Sequence, residues 1–149
     1  MRFVATAVAL SALSFACPFV PAFGLDNLPD PLAALEAKAD QAQPRDQCFL
    51  YAELVSQMTD LASHQFDAGD SGRASETLRM IQHYAEKIQN GVAVDSKKLK
   101  NAELLMQRTS YRLKDILGNA SYEDRQALEA TLKELDQVQS QLMLQVFKK

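Results

Sequence analysis

After Pro44 the apolar positions recur at three- and four-residue steps. Cys48, Tyr51, Leu54, Val55, Met58, Leu61 and Ala62 share one helical face, and Phe49 and Leu50 widen its start. This pattern predicts a helix from Pro44 to Asp67. Ala68-Gly69-Asp70-Ser71-Gly72 then reads as a turn, with Asp70 or Ser71 as the next N-cap. Ala74, Leu78, Ile81, Ala85 and Ile88 follow in strict four-three steps and predict a second helix. Leu99, Ala102, Met106, Thr109, Leu113 and Ile116 predict a third, closed by Gly118-Asn119. Ser121, with Asp124 three residues on, reads as an acidic capping box that opens the last helix. Leu128, Leu132, Leu135, Val138, Leu142 and Val146 are its expected inner face.

Two signals conflict between the second and third helices. Asn90-Gly91 reads as a stop, because Gly tolerates the left-handed conformation that ends helices. Asp95 reads as the following N-cap, with Val94 and Leu99 as a hydrophobic staple. Yet the apolar phase runs on unbroken through Val92, Asp95 and Leu99. A continuous helix over 73–117 would be ~68 Å long at 1.5 Å per residue, and Gly91 in its middle costs only ~1 kcal/mol. The pattern therefore predicts an all-α antiparallel bundle of three or four long helices. A turn at Asn90-Gly91 is preferred over one long central helix. The stripes are narrow and rich in Ala, as in coiled-coil seams, which leaves room for self-association to complete the core.

Before Pro44 the pattern changes. Arg2 precedes an uncharged apolar stretch from Phe3 to Phe15, too short to span a membrane. Pro18 and Pro21 break any helix, and Ala22-Phe23-Gly24 supplies small residues for cleavage. Residues 1–24 thus read as a secretory signal peptide cut near Gly24, and the expected location is periplasmic or secreted. Cys17 raises a lipid-anchored alternative, although Ser14 and Phe15 do not fit the residues that lipid attachment requires. Residues 25–44 read as a lead-in with a short helix, capped by Asp30 with Pro31 at its first position. Residues 45–149 read as one helical domain with no segment able to span a membrane.

Composition sharpens this. All five Pro lie at or before Pro44 and the five Gly are widely spaced, which argues against a sheet protein with its frequent turns. Hydrophobic residues make up 47%, too many for a wholly disordered chain. With Cys17 removed, Cys48 is the only thiol. It is a candidate for an intermolecular disulfide, or, by the preferred reading, a small buried apolar residue.

The formal net charge of −3 hides a strong asymmetry. Residues 26–70 carry nine acids and two bases, residues 73–114 nine bases and four acids, and residues 115–149 six acids and four bases. The preferred reading is internal complementarity, in which acidic first and last helices flank a basic middle. The alternative makes Lys97, Lys98, Lys100, Arg108, Arg112 and Lys114 a patch for an anionic partner. Nucleic acid is not expected, since only Tyr111 lies near as a stacking aromatic.

Catalytic signatures are missing from the sequence. There is no phosphate loop, HExxH, CxxC, GxSxG or EF-hand pattern. His64 and His83 have no Glu three residues before them and fall off the apolar stripes, so both read as solvated. Thr77, Tyr84, Thr109 and Tyr111 read as boundary residues whose hydroxyls reach water. Met58, Leu61, Ala62, Gly69, Ala74, Leu78 and Ile81 approach the spacing of one tetratricopeptide-type hairpin. Its aromatic positions are missing and no second copy follows ~34 residues on, so the stretch reads as generic helix–turn–helix packing. The expectation is an exported, non-enzymatic helical protein without cofactor or metal, acting through a protein partner or self-association. The alternatives are a bundle that binds a small ligand, and an envelope lipoprotein or membrane-surface factor.

Overall fold

The computed structural model describes residues 28–92 and 96–148, and the expected signal segment lies outside them. Five helices follow in order: α1 (Asp30–Gln41), α2 (Pro44–Asp67), α3 (Ser71–Gly91), α4 (Leu99–Asn119) and α5 (Tyr122–Phe147). The chain is an all-α bundle, and it breaks after Gly91 rather than running straight through.

Local chemistry sets most of the helix ends. Pro29, not Asp30, is the N-cap of α1, because its carbonyl accepts the N–H groups of Leu32 (2.9 Å) and Ala33 (3.1 Å). Asp30 is then the first helical residue, where its charge favours the positive end of the helix dipole. Gly69 takes a φ of +75°, and Asp70 caps α3 by accepting the Arg73 N–H at 3.2 Å. Ser121 accepts the Asp124 N–H at 3.3 Å while its own hydroxyl donates to Asp124 Oδ2 at 2.6 Å.

The α3–α4 connection departs from expectation. Gly91 is the last helical residue and is not left-handed. Lys98 is, at φ 56°, and it occupies the N-cap of α4 without a side-chain bond. Asp95 therefore does not take that position; it and Val94 lie outside the described residues. A backbone bond from the Lys97 N–H to the Arg45 carbonyl, 2.8 Å, fastens the connection to the start of α2. That tether, rather than a glycine turn, brings the chain to the next helix.

The arrangement follows from which helices touch. α2 packs on α3 and α4, while α5 packs on α4 and α3. Two helical hairpins, α2–α3 and α4–α5, thus lie side by side. Cross-helix pairs give their direction: Asp46 meets Lys97 and Asp60 meets Arg112, while Ser71 meets Asp124 and Gln82 meets Thr131. Neighbours are antiparallel within a hairpin and parallel between hairpins, which an antiparallel bundle does not anticipate. The consecutive helices α3 and α4 thus occupy diagonal corners.

Burial repeats between the hairpins. Cys48, Tyr51, Val55, Met58, Thr59 and Ala62 of α2 correspond, at one constant separation, to Leu99, Ala102, Met106, Thr109, Ser110 and Leu113 of α4. Leu78, Ile81, Ala85 and Ile88 of α3 correspond to Leu128, Thr131, Leu135 and Val138 of α5. The second separation is one residue shorter because the first hairpin turn is one residue longer. Of the expected inner face, Leu61, Ile116, Leu132 and Val146 are only partly buried. The stretch expected as a lead-in belongs to the same core, since α1 contributes Leu32 and Ala39 to it. Burying a Leu side chain stabilises by ~1.5–3 kcal/mol.

Candidate functional site

Three of the six bases of the expected patch face an acidic side chain. Lys97 pairs with Asp46 of α2 at 3.2 Å, Arg112 pairs with Asp60 of α2, and Lys114 lies 3.9 Å from Asp136 of α5. Lys98 places its ammonium 4.6 Å from the centre of the Phe49 ring. Lys98, Lys100 and Arg108 have no ion pair among the described residues. Half of the six are thus matched to acidic neighbours on α2 or α5. Each such exposed pair is worth ~0–1 kcal/mol, more useful for choosing neighbours than for stability.

Cys48 is 1% exposed and unpaired, and burial pushes its thiol up to about 11. A sulfur so placed is out of reach of a second chain while the bundle is folded. It packs as a small apolar side chain. His64 and His83 are exposed, and His83 sets its ring edge against Tyr84 at 5.2 Å. Among the described residues no group of three or more His, Cys, Asp or Glu is placed to hold a metal ion. No described helix is long and apolar enough to cross a membrane.

Three of the four hydroxyls expected to reach water are buried instead. Thr77 bonds Gln65 Oε1 at 2.7 Å, and Thr109 donates to the Leu105 carbonyl at 2.8 Å. Tyr84 donates to Glu36. Only Tyr111 is exposed. For Tyr84 the reason is that Glu36 of α1 accepts its hydroxyl, which periodicity along α3 alone does not show.

Tyr84 belongs to a polar cluster that joins α1 to the first hairpin. The Tyr51 and Tyr84 rings stack with centroids 5.7 Å apart. Tyr51 donates to Asp40 Oδ1 at 2.7 Å, and Lys87 donates to the same oxygen at 3.0 Å. The Lys87 ammonium lies 5.1 Å from both ring centres. Partial burial opposes the charge on Asp40, but bonds from Tyr51 and Lys87 outweigh it and hold the carboxyl below its ordinary range. Burial, then the bonds to Asp40 and Glu36, raise the Tyr51 and Tyr84 phenols above theirs. These are pKa shifts of a closed network in which each donor has found its acceptor. The sequence reading missed Glu36, Asp40, Tyr51 and Lys87 as a group. The available signal was Glu36 and Asp40 at a four-residue step facing Tyr84 and Lys87 at a three-residue step.

The second hairpin is different. The large apolar side chains left exposed among the described residues are Leu104, Tyr111, Tyr122, Met143, Leu144 and Phe147, and all six lie on α4 or α5. Phe147 is 79% exposed and Leu144 63%. Beside them Ser110 Oγ is buried with no hydrogen-bond partner among the described residues.

Comparison with family models, curated proteins and solved structures finds no match for this chain.

Proposed function

We propose that this chain is an exported, non-enzymatic helical module that acts by protein–protein association through its second hairpin. The observation that carries this is the one-sided distribution of exposed apolar side chains. All six lie on α4 and α5, whereas α1 lies against the first hairpin. Exposed apolar groups concentrated on one part of a soluble domain mark interaction surfaces more often than singly scattered ones do. Export is supported by the Phe3–Phe15 apolar stretch and the Ala22-Phe23-Gly24 site. An associating role is supported by the absence of a nucleophile–base or metal-ligand motif in the sequence.

The test is light scattering on the purified protein, combined with affinity capture from its own envelope fraction. The expected result is self-association or a captured partner, lost when Leu144 and Phe147 are both changed to Lys. A strictly monomeric protein that captures nothing overturns the reading.

A further inference from the structure

The two hairpins and α1 form a stack with two ends. On α3, Gln82 and Gln89 reach Thr131 and Glu134 of α5, while Tyr84 and Lys87 reach Glu36 and Asp40 of α1. At ~100° per residue these two pairs point to opposite sides of α3. α2 repeats this, with Asp46 and Asp60 toward α4 and Tyr51 toward α1. Glu53 lies between Asp46 and Asp60 at seven-residue steps, on the same side. The first hairpin is thus held between α1 on one side and the second hairpin on the other.

The positions that face this joint carry forward to the second hairpin. At the separation that relates the buried positions, Glu53 and Asp60 of α2 correspond to Leu104 and Tyr111 of α4. Gln82 of α3 corresponds in the same way to Leu132 of α5. Three polar positions on the joint side of the first hairpin are therefore apolar in the second. Leu104 and Tyr111 are exposed, at 40% and 61%, and Leu132 is half-buried. The end unit of a helical stack keeps its outer face polar for solubility. α1 meets that rule, since none of the large exposed apolar side chains lies on it. The α4–α5 end breaks it and has the character of a joint without its neighbour.

We infer that this open face takes the same face of a second copy of this chain, giving a closed two-fold dimer. A head-to-tail chain of copies would need the far end of the stack, and α1 occupies it. Among the described residues the apolar end left to meet is another α4–α5 face, and a contact between like faces closes on itself. Charge agrees with this. Lys114 and Asp136 lie 3.9 Å apart on the face, each about half exposed, so a two-fold rotation can set base against acid. This pairing rests on the association proposed above and adds its partner and its symmetry.

Sedimentation velocity of the full chain over a concentration series should show monomer and dimer and nothing larger. Leu104→Glu with Tyr111→Asp gives the second hairpin the residues of the first. Both positions are exposed, so helicity and thermal melting should be retained while self-association weakens at least tenfold. Should the pair disturb the fold, Tyr111→Asp alone takes its place. The deciding measurement mixes this variant with labelled unaltered protein. In a two-fold dimer the variant has lost its interface, so it should bind the unaltered protein at least tenfold more weakly than the unaltered protein binds itself. Equal binding overturns the symmetry, because a head-to-tail contact leaves the variant one intact face, and species that grow beyond dimer overturn it too. A protein that captures a foreign partner through Leu144 and Phe147 but never pairs with itself overturns the dimer and leaves the proposed function standing. A monomer that captures nothing removes both.

Discussion

The two hairpins share a burial pattern and differ in what happens outside it. The first carries α1, whose carboxylates take up the Tyr51 and Tyr84 hydroxyls and the Lys87 ammonium. The second has no described helix in the corresponding place and exposes six large apolar side chains. The contrast shows that repeating the core positions does not repeat the surface. Leu54 and Leu104 make the point within one motif, because each ends an Ala-Glu-Leu triplet. Leu54 is 0% exposed and Leu104 40%. The triplets recur one residue out of step with the burial pattern, which turns Leu104 about 100° away from the core on an α-helix.

That pair gives the largest expected effect. Leu54→Ala should destabilise by ~2–5 kcal/mol through lost burial and a cavity, whereas Leu104→Ala should stay within about 1 kcal/mol. Urea denaturation of both variants measures this directly, and equal losses would erase the difference between the hairpins.

The tyrosines give the next. Tyr84→Phe leaves Glu36 without its donor and should cost ~1–2 kcal/mol, while Tyr111→Phe on the second hairpin should change stability by less than about 0.5 kcal/mol. Thermal unfolding separates them. The same network fixes a pH dependence. The folded-state pKa values of Tyr51, Tyr84 and Cys48 are raised, so their contribution is fully present below the unfolded values and is lost as pH rises. For Cys48 the loss runs from 9.0 to about 11, and the phenols carry it further upward. Unfolding free energies at stepped alkaline pH should fall over this range, with a shallower fall in Tyr84→Phe. A flat profile would contradict the burial of these groups.

Smaller effects belong to charged and orphaned polar side chains. Ser110→Ala removes a buried hydroxyl without a described partner and should be neutral or stabilising by ~0.5–1 kcal/mol. Arg112→Ala and Lys97→Ala should each cost less than about 1 kcal/mol, and still less at high salt. A larger loss on removing either base would mean that these pairs hold the hairpins together.

Much of the fold was legible because its determinants are local. The Asp70 and Ser121 caps, the Pro44 start and the stripes of α2 to α5 are each written within a few turns of chain. The break after Gly91 was signalled, but its mechanism was not. Lys98 takes the left-handed position and the Lys97 N–H reaches back to Arg45, a contact that no local pattern encodes. The diagonal connection and the α1 latch were hidden for the same reason. They depend on which helices become neighbours, and alternating charge along the sequence offered only the acidic–basic preference later seen in Asp46–Lys97 and Asp60–Arg112. The uncovered second hairpin was equally hidden, since Leu104, Met143 and Phe147 read as apolar whether or not anything lies over them.

Hydroxyl-radical labelling tests the contrast between the hairpins most directly. In dilute protein, Leu104, Tyr111, Met143 and Phe147 should label readily, while Met58, Tyr51 and Tyr84 stay protected. On association, through concentration or a captured partner, labelling should drop on α4 and α5 and remain unchanged on α2 and α3. Equal labelling of both hairpins in the dilute protein, or association that leaves α4 and α5 fully labelled, would contradict the account.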